Sequence, residues 1–234
     1  MGMFDPIGLL VGLIGFAMAM FAQAKVKSAY AKWSQVGARS GITGAEIAKR
    51  MMYDNNIDDV SLECIPGEMT DHYDPTAKVV RLSEATYNGR SIAALGIAAH
   101  EIGHVIQHAQ GYTPLQLRSF VYPVASIGSN AAVPLIMIGL VLSYMGASMP
   151  WLIWAGVYLF AAAVAFTFIT LPVEFNASSR ALKALAHGGI LREEEMVGAK
   201  SVLNAAALTY VAAAAAAALQ LMHFVMIAMN QDRR

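Results

Sequence analysis

Three histidines and a glutamate fall within nine residues of the segment AAHEIGHVIQHAQ, residues 98–110. On a helix, positions i and i+4 share a face, so His100 and His104 can turn ring nitrogens toward one ion about 2 Å away. Glu101 points to the adjacent face. It is placed to take a proton from water activated by that ion, the general base of a metal-assisted hydrolysis. Zinc polarises both water and a carbonyl without redox chemistry, which suits cleavage of an amide. If the three residues merely formed a polar helix face, two imidazoles in apolar surroundings would lose hydration with no metal to offset it. His108 continues the i+4 series. It lies about 12 Å from His100 along a helix axis, too far to share one ion, and no Gly or Pro separates it from His104. His108 is therefore expected to support the site from outside the ligand set or to stand on the surface.

A catalytic zinc usually takes three protein ligands and keeps one open position, so a third ligand must come from elsewhere in the chain. The elements that could bring it are dictated by composition. Of the 234 residues, 57% are hydrophobic and 14% charged, with 16 basic and 16 acidic side chains. That balance belongs to a membrane protein and leaves no basic footprint for nucleic acid. Four stretches are long and apolar enough to cross a bilayer, each without Lys, Arg, Asp or Glu: Pro6–Ala24, Phe120–Ser143, Pro150–Leu171 and Val202–Met229. The first lacks the basic n-region of a cleaved signal and is read as a spanning segment, residues 1–24.

Ten of the 16 lysines and arginines lie in residues 25–119 and four more in residues 172–201. The positive-inside rule places both segments in the cytoplasm, with both termini outside; Arg233 and Arg234 mildly oppose this. Two spans separate these segments. They therefore share a face of the membrane whichever side it is, and residues distant in sequence can build one site.

Residues 25–119 read as a small mixed region. Val26, Tyr30 and Trp33 extend the first span as an amphipathic helix. Thr43-Gly44-Ala45-Glu46 is a capping box opening a helix to about Met52. Val60–Ile65 and Lys78–Leu82 have strand composition and are expected to pair as a two-stranded hairpin around a loop containing Pro66-Gly67 and Asp74-Pro75. Residues 90–109 form the motif helix. Cys64, the single cysteine, is expected to be half-buried. The fold class is mainly α: a polytopic membrane protein with four transmembrane helices (1–24, 120–143, 150–171, 202–229), a cytoplasmic region 25–119 and a cytoplasmic helical loop 172–201.

In that loop, LPVEFNASSRAL places Glu174 at the expected start of a helix. A carboxylate there either complements the helix dipole or completes the metal site. Glu193, Glu194 and Glu195 read as a solvated face.

The segments AAHEIGHVIQH, EFNASSRAL and DHYDPTAKVVRLSEATY together resemble the YugP-like neutral zinc metallopeptidases, bacterial integral membrane proteins, along essentially the whole chain. The chain is more distantly similar to HtpX-type and CaaX prenyl proteases, whose zinc is held gluzincin-fashion by two motif histidines and a later glutamate. The resemblance implies zinc as cofactor, His100, His104 and Glu174 as ligands, Glu101 as base, and a gluzincin-like region containing the hairpin. It also implies an active site at the cytoplasmic face of a bacterial inner membrane. The HtpX-type pattern has an aspartate four residues after the ligand glutamate to buttress a histidine. Ser178 stands there, a hydroxyl without charge. Asn176 or the DHYDP segment could compensate, and Arg180 could stabilise an oxyanion or pair with an acidic neighbour.

For substrate, the strand Lys78, Val79, Val80, Arg81 and Leu82 is expected at a sheet edge, where an extended peptide could add by backbone hydrogen bonds. The expected activity is endopeptidase cleavage of peptides or unfolded proteins, with membrane protein quality control suggested by the family likeness. The rivals are a non-catalytic zinc-binding scaffold and a divalent-metal transporter, for which Asn130, Asn204, Gln220 and His223 are the intramembrane polar candidates. The alanine run 212–218 allows close helix packing, within the chain, between subunits or against a membrane partner protein.

Overall fold

The computed structural model describes residues 5–147, 149–187 and 189–232. Met1–Phe4 of the first segment, Ser148 of the second connector, Gly188, and Arg233 and Arg234 lie outside the described residues. The protein is mainly helical, with helix α1 (Pro6–Trp33), α2 (Gly44–Asp54), strands β1 (Ser61–Ile65), β2 (His72–Asp74) and β3 (Val79–Ser83), then α3 (Glu84–Tyr87), α4 (Ile92–Ala109), α5 (Thr113–Tyr144), α6 (Pro150–His187) and α7 (Glu193–Asp232). Four of these, α1, α5, α6 and α7, are long and apolar enough to cross a membrane.

The helix starts follow local chemistry. Asp5 accepts the Gly8 N–H just before Pro6, whose fixed φ suits a first turn. Thr43 and Glu46 close the expected capping box, each side chain accepting the other's backbone N–H at 3.1 and 2.7 Å. Ser91 caps α4 through the Ala94 N–H.

The chain divides into two compact units. One comprises Ala22–Gln116 and Pro172–Leu208, the other Met1–Phe21, Leu117–Leu171 and Thr209–Arg234. The first unit has a continuous apolar core in which Ile47, Leu82, Leu95, Ile102 and Leu185 are wholly buried. The second has a smaller cluster around Ile136, Ile153, Val157 and Ala228.

Four expectations are corrected. Val60–Ile65 and Lys78–Leu82 do not make a hairpin with one another. Their counterparts β1 and β3 run parallel, in register from Ser61 opposite Val79 to Ile65 opposite Ser83. The hairpin partner of β3 is β2, hidden in the expected loop. Asp74 explains the turn: its carboxylate accepts the N–H groups of Thr76 and Ala77, and Lys78 closes the loop at φ 52°. The sheet order is β1-β3-β2, so Val79, Val80, Arg81 and Leu82 lie in the central strand rather than an edge, with Val79–Arg81 paired on both sides and Lys78 in the turn before it. Cys64 is exposed: β1 is an edge strand, and the apolar core reaches its Leu62 but not Cys64. Finally, no helix begins at Glu174. Helix α6 runs through Pro172 without interruption, which removes the helix-start reading of that carboxylate.

Candidate metal centre

The site is built where α4 crosses α6, within the first unit. Gly103 makes the crossing close: a Cβ there would lie 2.6 Å from the Ala177 carbonyl oxygen, inside contact distance. Each helix then offers one face. From α4 come His100 and His104, one turn apart, and from α6 come Glu174 and Ser178, also one turn apart.

The three ligand candidates converge. The Nε2 atoms of His100 and His104 lie 3.3 and 3.5 Å from Glu174 Oε2, and one ligand atom from each residue falls within 4.8 Å of the others. A tetrahedral ion with bonds of about 2.0–2.1 Å separates its ligand atoms by about 3.3 Å, so both histidine–glutamate separations already match a zinc site, and the two imidazoles would draw closer to one another on binding. The imidazole rings meet edge to face, 4.8 Å between centroids. Two nitrogens and one carboxylate oxygen form a donor set suited to zinc, and the residues fit the group.

Electrostatics agree with the geometry. Burial alone would raise the Glu174 pKa, yet its hydrogen bonds and charge interactions with His100 and His104 hold it well below the usual carboxylate range. For His104 burial would lower the pKa, and Glu174, Glu101 and Gln107 more than reverse that. A buried carboxylate facing two imidazoles is a pre-formed seat for a cation.

The remaining candidates separate into groups. Glu101 is largely buried beside the ligand pair on the neighbouring face of α4. Ser178 Oγ lies 3.1 Å from His100 Nδ1, the position the sequence suggested for a buttress. Asn176 Oδ1 accepts from Gln107 Nε2 at 3.0 Å and from Arg180 Nε at 2.7 Å. Arg180 also donates to Gln110 Oε1 at 2.7 Å and stands 6.0 Å from the Tyr112 ring, so its partners are amides and an aromatic face rather than an acid. His108 turns toward the sheet, with Nδ1 2.7 Å from the Tyr73 hydroxyl on β2. In the DHYDP segment, Asp71 accepts the Ser83 N–H and hydroxyl, and Asp74 bonds Arg81 and its own turn. Neither supports a histidine of the cluster.

Gln107 escaped the sequence reading. It is fully buried, and its Oε1 lies 3.0 Å from His104 Nδ1 while its Nε2 donates to the Val173 carbonyl at 2.8 Å. The available signal was an amide three residues after His104 in an otherwise apolar helix, hence on the same side of α4.

Comparison with known proteins identifies the family. A family model described as "Putative neutral zinc metallopeptidase" matches residues 8–229. The chain is 47% identical over 222 residues to the "Putative membrane protease YugP" of Bacillus subtilis (strain 168), covering 95% of this chain and 96% of the relative. No solved structure matches. With a match spanning nearly its whole length, the chain belongs to the neutral zinc metallopeptidase family that this description names.

Proposed function

We propose that the protein is a membrane-embedded, zinc-dependent endopeptidase that hydrolyses peptide bonds at the cytoplasmic surface of a bacterial inner membrane. The observation that carries this reading is the convergence of the His100 and His104 Nε2 atoms on Glu174 Oε2 with Glu101 on the adjoining face. His100, His104 and Glu174 would hold the ion. When bound, zinc supplies Lewis acidity, lowering the pKa of water and polarising a carbonyl oxygen.

The chain's own groups do the rest. Glu101 accepts a proton from the attacking water and returns it to the leaving amine nitrogen. His100 and His104 stay neutral and fixed in orientation through their Nδ1 contacts to Ser178 and Gln107. An extended peptide or unfolded protein would add to the free edge of β2, next to α4, rather than to the central strand. Orientation rests on the concentration of lysine and arginine in residues 25–119 and 172–201. A role in membrane protein quality control is the reading that the family likeness suggests.

The test is cleavage of an unfolded protein by the zinc-loaded wild type and by Glu101→Gln, purified in detergent, with zinc measured on the same samples. Cleavage by the wild type alone, at equal zinc content, is expected. Zinc in both and cleavage by neither would leave a zinc-binding scaffold. Absence of zinc from the wild type would remove the metal centre altogether.

A further inference from the structure

The two histidines meet different chemistry at their Nδ1 atoms. His100 Nδ1 faces the Ser178 hydroxyl, a group that can donate or accept by rotating. His104 Nδ1 faces Gln107 Oε1, the first member of a chain of contacts through Asn176 to Arg180.

We infer that Gln107, Asn176 and Arg180 are positioning residues that fix the tautomer of His104, an inference that rests on the metal-centre reading above. The direction of every bond in the chain is forced from its far ends. The Arg180 guanidinium has only donors, so the Asn176 atom 2.7 Å from Nε is its oxygen. The Val173 carbonyl has only acceptors, so the Gln107 atom 2.8 Å away is its nitrogen. That same nitrogen meets the Asn176 oxygen at 3.0 Å, a donor against an acceptor. With its NH2 spent on these two oxygens, Gln107 can present only Oε1 to His104. His104 must then carry its proton on Nδ1 and leave the Nε2 lone pair facing Glu174, as a metal ligand requires.

The opposite amide orientation would set the Gln107 oxygen against the Val173 carbonyl in a site with no exposure to water. Turning Asn176 to compensate would place its NH2 against the Arg180 N–H. No single flip relieves the conflict. Arg180 is further secured by Gln110, the residue that ends α4, so both helices of the crossing hold the far end of the relay. Where the HtpX-type pattern has a charged buttress, this chain has the Ser178 hydroxyl on His100, and a neutral amide pair backed by Arg180 supports the other histidine.

The experiment measures zinc affinity of the full-length protein in detergent by competition with a fluorescent chelator, and compares cobalt-substituted visible spectra. Gln107→Met keeps the side chain's length and removes the acceptor. It should weaken zinc binding by about 10–100-fold and shift the cobalt bands, the range found when partners outside the ligand set are lost. Ser178→Ala should weaken it less, because that contact forces no direction. Arg180→Met should weaken binding by about threefold or more, and Arg180→Lys should recover most of that loss by restoring a donor-only group to Asn176.

Zinc affinity of Gln107→Met within about twofold of the wild type, smaller than any loss of such a partner, would overturn the relay while leaving the metal centre intact. If Gln107→Met does not fold, the arginine pair decides: equal zinc affinity for Arg180→Met and wild type overturns the inference, and loss with rescue by lysine supports it. A wild type that binds no zinc overturns the metal centre and the relay together.

Discussion

Two helix crossings in this protein use the same device for different ends. At Gly103 a Cβ would meet the Ala177 carbonyl oxygen at 2.6 Å; at Gly128 one would meet the Leu159 carbonyl oxygen at 2.3 Å. Both glycines are there because two backbones touch. Around Gly103 the neighbours Ile102, Val105 and Ala181 are buried in a continuous core, and the crossing sets the separation of ligand atoms from two helices. Around Gly128 the chain exposes Val124 and Ile127, and the crossing sets nothing beyond helix spacing. In lipid the apolar surface gains little by being covered, so small residues and close van der Waals contact carry association. In the first unit burial carries it, and the glycine instead serves geometry.

The largest effect should come from breaking the first crossing. Gly103→Val must push α6 from α4, because the atom in its way is backbone and cannot rotate aside. A shift of about 1 Å at a reacting centre costs about 100-fold in rate, and zinc affinity should fall at least as far. Gly128→Val, although more crowded, should lower the unfolding midpoint and leave zinc affinity within about threefold, since overpacking costs stability in the range of about 1–3 kcal/mol without touching a ligand. Chelator competition on both variants checks this, and equal losses of zinc affinity would show that the two crossings are coupled.

Removing zinc should sharpen the contrast at intermediate size. A ligand held at 100 times its dissociation constant stabilises the folded state by about 2.7 kcal/mol. Chelation should therefore speed hydrogen exchange at the α4 amides around His100 and His104, and leave those around Gly128 unchanged. The wholly buried core of Ile47, Leu82, Leu95 and Leu185 should keep the first unit folded without the ion. Uniform loss of protection in both units would contradict it.

Much of this arrangement was legible in the sequence because it is local or topological. The i, i+4 spacing of His100 and His104, the Thr43–Glu46 cap and the four apolar runs are properties of single segments. The partnership with Glu174 could be sought because an even number of spans separates it from the motif. What stayed hidden depends on three-dimensional pairing. The central position of β3 required knowing that β1 returns parallel, and composition does not distinguish parallel from antiparallel partners in strands this short. Beyond its place one turn from His104, the role of Gln107 stayed hidden because its partners, a backbone carbonyl at 173 and an amide at 176, acquire meaning only once α6 runs unbroken past Pro172. Proline there predicts a boundary by local rules, and the continuing helix overrides them.

The smallest effect separates the stability of the first unit from the geometry of its crossing. Thr43→Ala removes the side chain that accepts the Glu46 N–H and dissolves the capping box of α2. Such caps contribute about 1 kcal/mol, and α2 lays Ile47, Ala48 and Met51 into the same core as α4. The unfolding free energy should fall by that amount, read as a lower midpoint in denaturant. Zinc affinity should stay within about twofold, because a cap worth about 1 kcal/mol tunes stability and leaves Gly103, Ala177 and the ligand faces in place. If zinc affinity falls in step with stability, the ligands are held by the core as a whole. The two crossings would then differ only in degree, and Gly103 would be one packing contact among many.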